Sequence, residues 1–195
     1  KGNGYSKGDL CKVGTPIILY GRLYTNYETI IREVDTFVEE KENSIFSKGG
    51  EVIVPASGET AEDIARASTI EKAGILLGGD LNIIESINSS FLALSISNGD
   101  TKKELAKKAQ GKSVVHVRND EIKRLIISFP NKVEQDKISG YFQSLDNLIT
   151  LHQCKCKSCK KYYKCTRKLK CWYLIEEKFI FVIINIRVTD NKFYL

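Results

Sequence analysis

ISFPNKVEQDKISGYFQSLDNLITLHQ, residues Ile127 to Gln153, decides how the chain is organised. From Val133 to His152, the positions Ile138, Tyr141, Leu145, Leu148 and His152 recur at alternating spacings of three and four. Phe142 and Ile149 widen the stripe. Side chains at those spacings share one helix face, so the pattern predicts a long helix with an a/d-type seam suited to packing on another long helix. Gly140 weakens it by about 1 kcal/mol relative to alanine. Pro130 closes whatever precedes the helix.

Upstream of Pro130 the character differs: short apolar runs alternate with glycine and polar turns, the pattern of a mixed α/β domain. TPIILYGRLY (15–24) places Ile17, Ile18 and Leu19 in a buried strand, and GGEVIVPASGET (49–60) gives a strand over Val52–Val54 stopped by Pro55 and a Ser-Gly turn. TAEDIARAST (60–69) reads as a short helix capped by Thr60, with Glu62 and Asp63 at its positive end. GILLGGDLNIIES (74–86) supplies two further apolar runs, and FLALSIS (91–97) continues as strand. TKKELAKKAQ (101–110) is helical, and SVVHVRNDEIKRLIISFP (113–130) reads as strand, turn and strand. The expected division is an α/β domain over 1–130, a helical arm over 131–153 and an atypical tail over 154–195.

Composition is that of a globular protein, 42% hydrophobic and 28% charged, and the net charge of +6 permits an anionic partner without requiring one. The densest apolar run, FIFVIINI (179–186), is of strand length and well short of the roughly 18 residues that read as a membrane span. The chain contains no methionine, position 1 included, from which a natural start upstream is expected. Five of the six cysteines fall between Cys154 and Cys171, which fits a reducing cytoplasm better than a disulfide framework spread through a secreted domain.

Three stretches, in order, resemble the specificity subunit of type I restriction-modification enzymes. GTPIILYGRLYTNY (14–27) resembles the opening of a target-recognition domain, and VPASGETAEDI (54–64) with GILLGGDLNII (74–84) is similar to its middle. The stretch from Ile127 to Gln153, with P-x-x-x-E-Q-x-K-I at Pro130–Ile138 and L-D-x-L-I at Leu145–Ile149, is similar to the proline-then-helix spacer that follows each such domain. The resemblance covers about residues 5–153. It implies a non-catalytic subunit without cofactors, in which each recognition domain reads one half of a split target in double-stranded DNA. Methyltransferase subunits would dock on the helices and a restriction (motor-nuclease) subunit would join them. With one recognition domain and one spacer here, a homodimer through the Ile138–His152 stripe would rebuild a two-domain arrangement.

Reading DNA needs side chains that reach base edges while basic and polar groups hold phosphates. Arg22, Tyr24, Thr25, Asn26 and Tyr27 follow a buried strand and form a first candidate reading loop. Alternatively Tyr24 and Tyr27 pack, and Arg22 pairs with a surface carboxylate. Lys107, Lys108, Lys112, Ser113 and His116 around Gly111 are a second candidate, with a solvated helix end as the alternative. Ser57 and Arg66, beside Thr60, make a third group, in which Ser57 and Thr60 can equally serve a turn and a cap. A coiled-coil interaction module without base reading is the competing function.

Enzyme constellations are absent from the sequence pattern. His116 and His152 are far apart, SGE at 57–59 lacks the G-x-S-x-G context of a hydrolase elbow, and GKS at 111–113 has Ala106 where a phosphate-binding loop needs glycine. In the tail, Cys156 and Cys159 form a C-x-x-C, but Cys165 and Cys171 follow at five intervening residues each, without the second close pair of a structural zinc site. No metal site is assigned. The loss of the leucine stripe after Leu151 matches a shifted reading frame near Gln153, so the tail is expected not to continue the spacer.

Overall fold

Short β-branched and aliphatic runs set the strands, and polar caps set the helices. The computed structural model describes residues 1–111 and 114–159, with 151–159 as backbone alone. Its elements begin with β1 (Leu10–Cys11), β2 (Thr15–Ile18), α1 (Arg22–Thr25), β3 (Ile30–Ile31) and β4 (Phe37–Val38). Next come β5 (Val52–Pro55), β6 (Ser57–Gly58), α2 (Ala61–Ile64), β7 (Ser68–Ile70), β8 (Leu76–Leu77) and β9 (Leu81–Ile84). The last are α3 (Ser89–Ser97), α4 (Gly99–Lys108), β10 (Val115–His116), α5 (Asn119–Lys123) and α6 (Lys132–Cys159). The chain divides into two units, one spanning Lys1–Ile127 and one beginning at Ser128.

In the first unit, mixed α/β in character, two four-stranded sheets run in the orders β1-β4-β2-β8 and β3-β7-β5-β9. A two-stranded ladder joins β10 to β6. The strands β2 and β8 are parallel, with Ile17 opposite Leu76 and Ile18 opposite Leu77. The β5 and β9 strands are antiparallel, from Val52 opposite Ile84 to Pro55 opposite Leu81. Ile18, Leu23, Ile31, Ile53, Ile70, Ile75, Leu77 and Leu81 interlock as the main core, and Tyr5, Ile17, Val38 and Leu76 form a second cluster. Burying such side chains is worth about 1.5–3 kcal/mol each, and β5, buried at every position, is the centre of this packing.

Thr60 caps α2 as expected: its Oγ1 accepts from the Asp63 N–H at 3.1 Å. Three expectations are corrected. FLALSIS is the body of α3, because Asn88 caps it by accepting the Phe91 N–H at 3.1 Å and Phe91, Leu92, Ala93 and Ile96 are buried on it. In a short apolar run, periodicity alone does not separate a buried helix from a strand. Ser57–Gly58 is strand β6, with Ser57 opposite His116 and Gly58 opposite Val115. The segment after β10 is the short helix α5, with Asp120 and Glu121 favouring its positive end, and residues 125–130 form no strand.

In the second unit α6 starts at Lys132, two residues after Pro130. Asn131 Oδ1 accepts the Glu134 N–H at 3.0 Å, and Asn131 Nδ2 donates to Glu134 Oε2 at 3.1 Å. Gln135 Nε2 donates to the Pro130 carbonyl at 2.8 Å. The first of these bonds satisfies one of the free N–H groups at the helix start, and the other two brace the turn before it. Along the stripe Ile138, Phe142, Leu145 and Ile149 are half-buried, whereas Tyr141 and Leu148 are 54% and 62% exposed. The helix backbone continues past Gln153 to Cys159. The side chains of His152 and of the tail cysteines lie outside the described residues, as does the reading-frame expectation for that tail. Among the described residues no helix is long and apolar enough to cross a membrane.

Candidate functional site

Backbone hydrogen bonds stitch three separate segments together at the end of β5. The Ala56 N–H donates to the Asp80 carbonyl at 2.7 Å, and the Val117 N–H donates to the Ala56 carbonyl at 2.9 Å. Asn82, buried, donates from Nδ2 to the Val117 carbonyl at 3.2 Å. Ser57 Oγ donates to Asp80 Oδ2 at 3.0 Å. Gln110 and His116 then exchange both N–H···O bonds, at 3.0 and 2.8 Å, and close the loop between them. Gly111 sits in that loop at φ +140°, and a Cβ there would collide with the Val114 carbonyl. Its glycine is therefore needed for a close approach within the chain itself.

A cleft of about 660 Å³ opens over this junction, lined among others by Lys108, Gln110, His116, Arg118 and Asn119. Asp80 and Glu121 also line it. Lys107 and Arg118 are exposed, and among the described residues neither is held in an ion pair. Lys108 Nζ lies 3.7 Å from Glu104 Oε1, a loose contact across one helical turn. Glu121 is 3.5 Å from Arg124. The chemistry is mixed: free cations suit phosphates, Gln and Asn amides offer a donor beside an acceptor, and carboxylates accept from amino groups. Double-stranded nucleic acid presents that combination of phosphates and base edges.

A second group abuts the same ladder. The Tyr24 hydroxyl donates to the Ser57 carbonyl at 2.7 Å. Burial pushes the Tyr24 phenol far above its ordinary range, helped by the nearby Asp63 carboxylate, so it stays a protonated donor. The Arg66 guanidinium lies 5.9 Å from the Tyr24 ring centre and donates to Asp63 Oδ1 at 2.9 Å. Tyr20 meets the Tyr24 ring edge-on at 6.1 Å. Thus Tyr24, Ser57, Arg66, Lys108 and His116, named from three distant stretches, converge around β6 and β10.

Other candidates are placed elsewhere. Arg22 donates to Asp35 at 2.8 Å, to Glu28 at 2.8 Å and to the Glu33 carbonyl at 2.9 Å, with its side chain only 11% exposed. Tyr27 donates to the Ala67 carbonyl at 3.1 Å, and Thr25 Oγ1 donates back to the Gly21 carbonyl at 3.0 Å. These are the packing and pairing roles that formed the alternative for this stretch. Asn26 is exposed at the end of α1. Lys112 and Ser113 lie outside the described residues. Replacing Arg22 with alanine is expected to lower unfolding stability by about 1–2 kcal/mol, discounted because Asp35 is largely exposed. Chemical denaturation measures the effect; unaltered stability would refute the internal role.

Sequence reasoning passed over Gln110, Asn82, Arg118 and Asn119. A signal for Arg118 was present: Val115 and Val117 are buried while His116 and Arg118 are exposed, the alternation of an extended segment. Asn82 and Gln110 carried no such signal, since their roles arise from segments far away in the chain.

The profile described as type I restriction modification DNA specificity domain matches residues 1–158, beyond Gln153 where the resemblance was expected to stop. None of the curated proteins matches the chain. Among solved structures, the HsdS subunit from Thermoanaerobacter tengcongensis is similar at TM-score 0.51 and 12% identity, over 77% of this chain and 35% of that one. The type I restriction-modification system S subunit from M. genitalium is similar at TM-score 0.51 and 18% identity, over 83% of this chain and 41% of that one. A chain from a structure describing complex assembly and conformational transition of the type I R-M system gives TM-score 0.51 at 11% identity, over 80% and 38%. This chain thus spans well under half the length of these relatives, and at such identities they establish its fold. The family rests on the profile match, which covers most of the sequence: the chain belongs to the type I restriction modification DNA specificity domain family.

Proposed function

We propose that the first unit is a target-recognition domain that binds double-stranded DNA and reads one half of a bipartite sequence for a type I restriction-modification complex. The observation that carries this reading is the convergence of Lys108, Gln110, His116, Arg118 and Asn119 on one cleft held by a closed hydrogen-bond junction. A rigid scaffold of that kind limits the ordering entropy lost on binding. Lys107, Lys108 and Arg118 contact phosphates, while Gln110, Asn119 and His116 face base edges. Correct base contacts, each worth about 1–3 kcal/mol for a good bidentate pair, then place a methyltransferase subunit over its target base. Base flipping and methyl transfer take place in that partner.

In the same proposal α6 is the assembly arm. Methyltransferase subunits dock against its apolar stripe, the restriction subunit joins the complex, and a second copy pairs through the stripe where only one recognition domain is present. The exposure of Tyr141 and Leu148 favours a protein contact at this helix. It also supports the second reading, an interaction module that does not read bases.

Selection of random double-stranded DNA by the chain assembled with its methyltransferase subunit separates the two. The recognition reading expects a preferred half-site and a log affinity that falls linearly with log salt, by about 0.9 for each phosphate neutralised. Absence of both leaves the interaction module.

A further inference from the structure

Between Gln110 and His116, which exchange backbone hydrogen bonds, Val114 is 50% exposed, and its carbonyl lies against Gly111, a residue that lines the cleft. Its neighbour Val115 is buried in the β10–β6 ladder, so Val114 is the valine of the pair that faces outward. Two backbone hydrogen bonds at the loop's base hold it, and Gly111 lies tight against the Val114 carbonyl. Val114 thus precedes exposed His116 and Arg118 by two and four residues, directly before the paired strand β10. An exposed valine gains little in water, but gains transfer free energy when another apolar group covers it. On the major-groove face of a DNA duplex the apolar group available is the thymine 5-methyl, which distinguishes thymine from the other three bases.

We propose that Val114 is a specificity-determining residue that reads a thymine methyl group within the recognised half-site. The proposal rests on the DNA-reading function given above and deepens it by naming the chemical group read. Val114 contributes methyl contact without charge, so it adds sequence preference and leaves the salt dependence of binding untouched.

Oligonucleotide duplexes carrying the half-site selected by the assembled complex provide the test, with each thymidine replaced singly by deoxyuridine. That change removes the methyl group and keeps the base-pairing edge. At one position the wild-type complex is expected to lose about three- to fivefold in affinity, the worth of one buried methyl group. Val114→Ala should bind the thymidine duplex more weakly by a similar factor, respond much less to deoxyuridine at that position, and keep the wild-type salt slope. The proposal is overturned if the half-site lacks thymine, if no deoxyuridine substitution affects the wild type, or if Val114→Ala responds to deoxyuridine as strongly as the wild type does. In these outcomes a selected half-site still stands and the recognition function survives. A wild-type complex that selects no sequence overturns both.

Discussion

Alanine at Lys107, Lys108 and Arg118 together is expected to weaken DNA binding by the assembled complex on the order of 100-fold at 0.15 M salt. Each phosphate contact contributes about 0.9 to the slope of log affinity against log salt, so removing three should flatten the slope by about 2.7. At 0.15 M that difference corresponds to an affinity loss of the stated order. Two of these cations are free to act: Lys107 and Arg118 are exposed and unpaired among the described residues. Lys108 has only the partly exposed Glu104 contact to give up, which at 3.7 Å across one helical turn is loose and worth little. Folding should be nearly unaffected, because none of the three belongs to the hydrophobic core. Filter-binding or anisotropy titrations over a salt series measure the slope directly. An unchanged slope would move DNA contact away from this cleft and favour the interaction-module reading.

Gly111→Ala should have the second large effect, acting through backbone geometry. At φ +140° a side chain is strained by about 1–3 kcal/mol, and the new Cβ would also meet the Val114 carbonyl. The least costly response is for the loop to open at the Gln110–His116 pair, away from the core formed by β5 and its neighbours. An opened loop no longer holds His116 at the cleft, and affinity for the target half-site is expected to fall at least about tenfold. Because the rupture is local, thermal unfolding of the first unit should shift much less than a core truncation, which typically costs about 2–5 kcal/mol. Full affinity in Gly111→Ala would show that the closed loop is unnecessary for binding, whereas global unfolding would show that its closure is part of the core.

Much of the α/β domain was legible because its strands follow short-range rules. Val52–Pro55 is an apolar run ended by proline, and Thr60 is a capping residue ahead of two acidic residues. The start of α6 was equally legible, from Pro130 and the three-and-four spacing after it. FLALSIS was misread because a helix buried on several sides loses its polar stripe. The β6 strand was missed because a Ser-Gly pair carries a turn signal in isolation and becomes strand when Val115 and His116 lie across from it.

What the sequence by itself determined is therefore the class of domain, the start of the helix that follows it and the family, since these depend on local periodicity, capping and ordered motifs. Which polar residues share a surface was decided by tertiary structure alone. Arg22 looked like a reading residue until Glu28, Glu33 and Asp35 were brought around it, while Gln110 and Asn82 acquired their positions only when segments near residues 56, 80 and 117 were stitched together. The physical reason is that hydrogen-bond and ion-pair partners depend on distance in space, and in this sheet topology groups that meet are commonly tens of residues apart along the chain.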